Sequence, residues 1–199
     1  MKRTLIKACG LLLILLLFSA GCQVEAKKNT LAPYPLTESQ WQLLDYLNLR
    51  NTANLVSFHT PEEALSVTVT CYVLENGNWV ENGGGSIMWD GQDSDGPTNG
   101  VLTMIYREDR RFDINLSAQG TSSFQSKPVT LDGDLTASSH SWLGEEQEIQ
   151  LDQEIPVALF AETSGNTMAS FTTDTYFTPE DLQGLDLVQA VTLTFSDQV

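Results

Sequence analysis

The chain has 199 residues, with 10 Lys and Arg against 26 Asp and Glu for a net charge of −16, and 41% of its residues are hydrophobic. This length suits one globular domain, and the acidic balance excludes a nucleic-acid partner, since such binding rests on Lys and Arg neutralising phosphates. With four Trp, five Tyr and eight Phe, the chain is too apolar for a disordered acidic tail.

At the N-terminus, Lys2, Arg3 and Lys7 make a basic start and Leu11 to Phe18 is an unbroken apolar run. The run is too short to span a bilayer, which takes about 20 helical residues, and it fits the apolar region of an export signal. Ser19, Ala20 and Gly21, small enough for a peptidase to admit, precede Cys22. This arrangement resembles the lipobox of bacterial lipoproteins, with Ser19 standing where Leu is usual. The resemblance implies that residues 1–21 are a signal peptide and that the Cys22 thiol carries diacylglycerol at the head of the mature protein. It also implies anchorage on the extracytoplasmic face of a bacterial cell membrane, because two or more acyl chains hold stably where one binds marginally. A soluble secreted protein with a cysteine beside its cleavage site is the alternative. Without the signal, seven basic residues face 26 acidic ones, a net −19, and such a surface is repelled by anionic headgroups.

Residues 22–35 are expected to be the lipidated cysteine and a polar tether, which carries Lys27, Lys28, Pro33 and Pro35 and reaches at most about 45 Å. Residues 36–199 follow as one β-rich domain. Its first element is a helix: Thr37 is a good N-cap, Gln40 completes a capping box, and Leu36 with Trp41 has the spacing of a hydrophobic staple. Trp41, Leu44 and Leu47 form an apolar stripe, expected to pack across an end or face of a sheet. Glu38 and Asp45 weigh against the alternative of a helix lying on the membrane, where Lys and Arg are usual. The run Leu65 to Val73 alternates, with Cys71 on its apolar phase; as Cys9 leaves with the signal and Cys22 is acylated, Cys71 is expected to be a buried free thiol. Asn76-Gly77 marks a tight hairpin. Gly83 to Gly85 mark a bend or wide loop. Val101 to Arg107 and Arg111 to Ser117 form a second hairpin across Glu108-Asp109-Arg110. Further strands are expected at Ser86 to Trp89, Pro128 to Leu131, Glu148 to Leu151, Pro156 to Ala161, Met168 to Phe177 and Val188 to Phe195, with a helical turn from Thr178-Pro179 to Gly184 before the last. The pattern is that of a mostly β, antiparallel sandwich or barrel-like domain with one N-terminal helix.

Four groups of residues carry candidate chemistry. Asp90, Asp93 and Asp95 could gather oxygens around Ca²⁺, but the helix-loop-helix calcium register fails at both ends, at Gly91 and Leu102, which leaves a solvated acidic turn as the plainer reading. Trp79, Trp89 and Trp142 could stack on sugar rings or serve as core. Arg107, Arg110 and Arg111 could grip an anion through their guanidinium forks or simply neutralise Glu108 and Asp109. His140, with a neighbouring acid, is the one candidate general base, and no Gly-x-Ser-x-Gly elbow accompanies it. The expected function is a membrane-anchored interaction or binding module without enzymatic activity, meeting an unknown protein or glycan partner. A Ca²⁺- or carbohydrate-binding sandwich and a hydrolase are the alternatives.

Overall fold

The computed structural model describes residues 28–89, 98–131, 133 and 135–198. Alternating runs pair into two antiparallel sheets. One holds β1 (Thr30–Pro33), β2 (Ala53–His59), β5 (Asn99–Tyr106), β6 (Phe112–Ser117), β7 (Thr121–Gln125) and β9 (Gln147–Glu148) in the order β7-β6-β5-β2-β1-β9. The other holds β3 (Ser66–Glu75), β4 (Asn78–Met88), β8 (Ala137–Trp142), β10 (Glu154–Thr163) and β11 (Leu187–Ser196) in the order β4-β3-β11-β10-β8. The inward phases of both sheets meet in one core that includes Val56, Phe58, Val67, Val69, Cys71, Leu102, Met104, Phe112, Phe160, Leu193 and Phe195. Each large side chain fully buried there contributes about 1.5–3 kcal/mol.

The expected sandwich is present, and several details differ from the sequence reading. Thr30–Pro33 is a strand inside a sheet, paired with β2 and β9, so the domain starts within the segment read as a tether. Four residues with one core side chain, the fully buried Leu31, are too few to show alternation. Met168 to Phe177 is not a strand: it crosses outside the second sheet and closes in a 3₁₀ turn at Thr173–Phe177, followed by another at Pro179–Leu182. Pro128 to Leu131 likewise forms no strand, and β7 and β8, rich in Ser, take the edge positions that the pattern had left blank.

Crossing the second sheet gives β10 and β11 two buried faces. Leu159, Ala161, Val188 and Ala190 point outward under Tyr176 and Leu182 in a second apolar cluster, with Tyr72, Leu74 and Trp79 beside them. A strand covered on both sides reads as a continuous apolar run, and Ile155 to Ala161 is one. Pro156 sits in this central strand because the β10–β11 register shifts between Pro156 and Ala158, and a bulge tolerates the missing N–H.

Helix α1 (Glu38–Tyr46) starts as expected: Thr37 N donates to Gln40 Oε1 at 2.8 Å, and Thr37 Oγ1 accepts from Gln40 N at 3.4 Å. It does not pack as expected. None of its residues is buried, and Leu43, Tyr46 and Leu47 are 55%, 85% and 57% exposed.

One flank of the sandwich is closed. The triple glycine, expected to mark a bend or wide loop, lies instead inside strand β4, paired with Val69 to Cys71. The β3–β4 register shifts between Cys71 and Tyr72, and β4 meets β7's end, where Gly83 bridges Ser126 and Lys127 N donates to Asn82 O at 2.9 Å. Gly84 has φ +139°, and a Cβ there would overlap Val69 O; a Cβ at Gly85 would overlap the Phe124 ring. Gly84→Ala combines backbone strain with a clash against an immobile carbonyl, and is expected to cost about 2–3 kcal/mol in urea unfolding. Gly120→Ala, where a Cβ would meet nothing within 4 Å, should change stability far less.

Candidate functional site

Two carboxylates bracket the apolar run of β10 on opposite faces. Glu162, 8% exposed, lies at one end of the sandwich: its Oε1 accepts from the Tyr106 hydroxyl at 2.9 Å and its Oε2 from Arg110 Nε at 2.8 Å. Gln189, 1% exposed, accepts from the same tyrosine at 3.0 Å and donates through Nε2 to the Arg110 carbonyl at 2.9 Å. Arg110 takes φ +60° in the β5–β6 turn, a left-handed conformation that costs a non-glycine residue energy, and contacts from both its ends fix it there. Burial, then the Glu162 charge, raises the Tyr106 phenol well above its ordinary value.

Glu154 lies on the outer face under the crossing segment. Tyr72 and Tyr176 donate to its two oxygens at 2.6 and 2.7 Å, and Thr192 donates to Oε1 at 3.2 Å. Trp79 stacks on Tyr176 at 4.8 Å and donates Nε1 to its carbonyl at 2.9 Å. Burial, then the hydrogen bond to Glu154, pushes the Tyr72 phenol up to about 12 and raises Tyr176 likewise.

These networks absorb several of the candidate site residues. Trp89 is buried, 5% exposed, with Nε1 donating to Ala64 O at 2.6 Å, so it has no face to offer a sugar. Trp142 is half-buried against Phe160 at 4.7 Å. Trp79 belongs to the Glu154 network, so the three tryptophans form no common platform. The three arginines already face carboxylates: Arg107 with Asp113 at 2.5 Å, Arg110 with Glu162, and Arg111 with Asp109 at 3.6 Å and Asp113 at 3.3 Å. The partner of Arg110 lies 52 residues away rather than in its own turn. His140 stacks flat on Phe160 at 4.0 Å, which strips water from the ring and lowers its pKa against the opposing pull of Glu162. Cys71 is buried, and burial with the Glu81 charge pushes its thiol up to about 12, so it is an inert core residue. Asp90, Asp93 and Asp95 lie outside the described residues, as does Cys22. The described residues that flank them, Trp89 and Thr98, are buried, and Thr98 N donates to Thr60 Oγ1 at 2.9 Å. No group of three metal-ligating side chains occurs among the described residues.

What remains open is the outer face of the first sheet. A broad, shallow groove of about 840 Å³ crosses β1, β2, β5 and β6, lined by the polar Ser57, His59, Asn99 and Ser117 and by apolar residues such as Ala32, Pro33, Val101 and Ala118. His59 Nδ1, an atom without solvent exposure, has no hydrogen-bond partner among the described residues. Sequence reasoning missed this surface because its members are single outward residues on four strands. Their common signal is the outward phase of each alternating run, and the pairing register alone brings Ser57 beside Val101 and Val101 beside Ser117.

A family model described as the YgaN domain matches residues 30–193, and the chain belongs to that family. The matched span starts at the first residue of β1. No curated protein and no solved structure matches the chain.

Removing one partner of a buried ion pair leaves the other charge unpaired. Arg110→Ala is expected to cost about 2–4 kcal/mol in urea unfolding, and adding Glu162→Gln should recover most of it because a neutral amide still accepts from Tyr106. A loss that the second change fails to reduce would sink this account. The tyrosines give a second test. A phenol raised in the folded state contributes stability that is complete below its ordinary value of 10.0 and is lost as pH climbs towards the folded value. Absorbance titration should therefore find Tyr72, Tyr106 and Tyr176 ionising late, with stability falling between about pH 10 and 12. Glu154→Gln should bring Tyr72 and Tyr176 down and leave Tyr106 in place.

Proposed function

We propose that this YgaN domain chain is a lipid-anchored extracytoplasmic module of a bacterial envelope that works by binding, with the open face of the first sheet as its contact surface. The observation that carries the reading is the unequal cover of the two sheets. The crossing segment buries the outer face of β10 and β11, while β1, β2, β5 and β6 present a wide groove on theirs. Shallow, open surfaces of this kind, where hydroxyl, amide and imidazole groups alternate with the apolar Ala32, Pro33, Val101 and Ala118, suit an extended partner such as a glycan or a peptide strand more than a small molecule, which takes an enclosed pocket.

Anchorage is supported by the small residues Ser19, Ala20 and Gly21 between the apolar run and Cys22, and by the eight-residue distance from Cys22 to Thr30. No described helix is long and apolar enough to cross a membrane. Stable attachment therefore falls to the acyl chains in this reading.

Cys22→Ser is expected to abolish incorporation of a labelled fatty acid and to leave the uncleaved precursor; normal processing of that variant would refute the anchor. For the binding surface, a photo-crosslinking residue in place of Ser57 or Asn99 should give a discrete adduct in intact cells. The same residue at Asn78, the exposed first residue of β4, should give none. Equal labelling from all three positions, or none from any, would count against the groove.

A further inference from the structure

Helix α1 is unusual in this domain because its outward face is apolar. Leu43, Tyr46 and Leu47 stand at i, i+3 and i+4, so they share one face, and they are 55%, 85% and 57% exposed. Trp41 and Leu44, half-buried, lie on the other side. The two acids of the helix sit away from the exposed patch: at 100° per residue, Glu38 and Asp45 are centred roughly 140° from its middle. The charge of Asp45 is also met by Arg50 at 2.7 Å, whose guanidinium lies over the Trp41 ring at 5.1 Å. The objection that acids place this helix away from a membrane thus applies to another side of the helix and not to the exposed face. On a chain of net −16, a contiguous uncharged face of two leucines and a tyrosine is a contact surface in want of an apolar neighbour.

We propose that this face lies in the headgroup boundary of the bilayer to which Cys22 is anchored, so that the domain rests on the membrane at two points. The inference rests on the anchor reading of the preceding section. Chain length favours the membrane over other occupants. Cys22 is eight residues before Thr30 and Glu38 is eight residues after it, so each segment spans at most about 28 Å. Whatever path they take, the leading segment is long enough to bring the acylated end level with the helix. Leu with Tyr is the composition that settles at a membrane interface, where the ring buries its apolar body and keeps its hydroxyl in water. A second copy is a poorer occupant, because two domains of the same strong negative charge repel.

The test uses the full, processed lipoprotein reconstituted in phosphatidylcholine vesicles, with a polarity-sensitive fluorophore on Leu47→Cys and, separately, on Leu43→Cys. Both positions are exposed, and Cys71 is buried. Ser123→Cys, exposed on β7, is the control. Emission from positions 43 and 47 should shift to the blue on reconstitution, and brominated phosphatidylcholine should quench it roughly twofold, as expected for a face sunk into the acyl boundary. Emission from position 123 should do neither. Protein that floats with the vesicles but shows equal quenching at all three positions overturns the helix contact and leaves the anchor standing. Failure to float overturns the anchor, and the helix contact with it unless Cys22→Ser protein still shows selective quenching at 43 and 47. A blue shift that grows with protein density and ignores brominated lipid assigns the face to a second copy and overturns the proposal.

Discussion

Covering both faces of β10 and β11 is the constraint from which the rest of the structure follows. A strand buried on one side can place polar residues outward in water, whereas one buried on both must find partners for every polar group it carries. These two strands carry Glu154, Glu162, Gln189 and Thr192, and each of the four side chains is hydrogen-bonded. The partners come from far along the chain. Tyr72 and Tyr176 reach Glu154 from β3 and the crossing segment, while Tyr106 and Arg110 reach Glu162 from the β5–β6 hairpin. The networks thereby fix the register of elements that hydrophobic burial alone would let slide, since burial is not directional.

The same constraint explains why the molecule has one open face. The crossing segment is committed to the outer side of the second sheet by Tyr176 and Leu182. The outer side of the first sheet has no comparable segment laid over it among the described residues, and its strands carry the clean alternation of a half-solvated sheet, as in Phe112 to Ser117. The open face is thus the complement of a face used for stability.

Legibility followed local physics. The capping box of Thr37 and Gln40, the Asn76-Gly77 turn with φ +52° and +78°, and the two hairpins were readable because each is set by neighbours in sequence. Thr30–Pro33 was not, because its strand character comes from β2 and β9 on either side rather than from its own four residues. Met168 to Phe177 misled because apolar residues under a layer need no regular backbone: Met168, Phe171 and Tyr176 reach the sheet from coil and a 3₁₀ turn. For the candidate site the arginines were the most instructive. Counting charges around Glu108 and Asp109 gave a sensible local neutralisation, and Arg111 does meet Asp109, but the buried demand of Glu162 outweighs any exposed acid as a partner for Arg110.

The two carboxylates of β10, Glu162 buried and Glu154 half-buried, also show how a chain so poor in cations satisfies charge. Glu162 takes one of only ten basic residues. Among the described residues, Glu154 is held by three hydroxyls and no cation. Hydrogen bonds to an ionised acceptor are roughly twice as strong as neutral ones, so three such donors can replace a guanidinium where none is within reach. The cost appears on the donors: each phenol loses its ordinary acidity by sitting buried beside an anion. An acid on the open surface and an acid drawn beneath a covering layer therefore demand different solutions. Outside, carboxylates keep their water and contribute solubility; inside, this sequence supplies tyrosine where a more basic chain could supply arginine, and the aromatic body of the tyrosine fills the apolar layer that its hydroxyl serves.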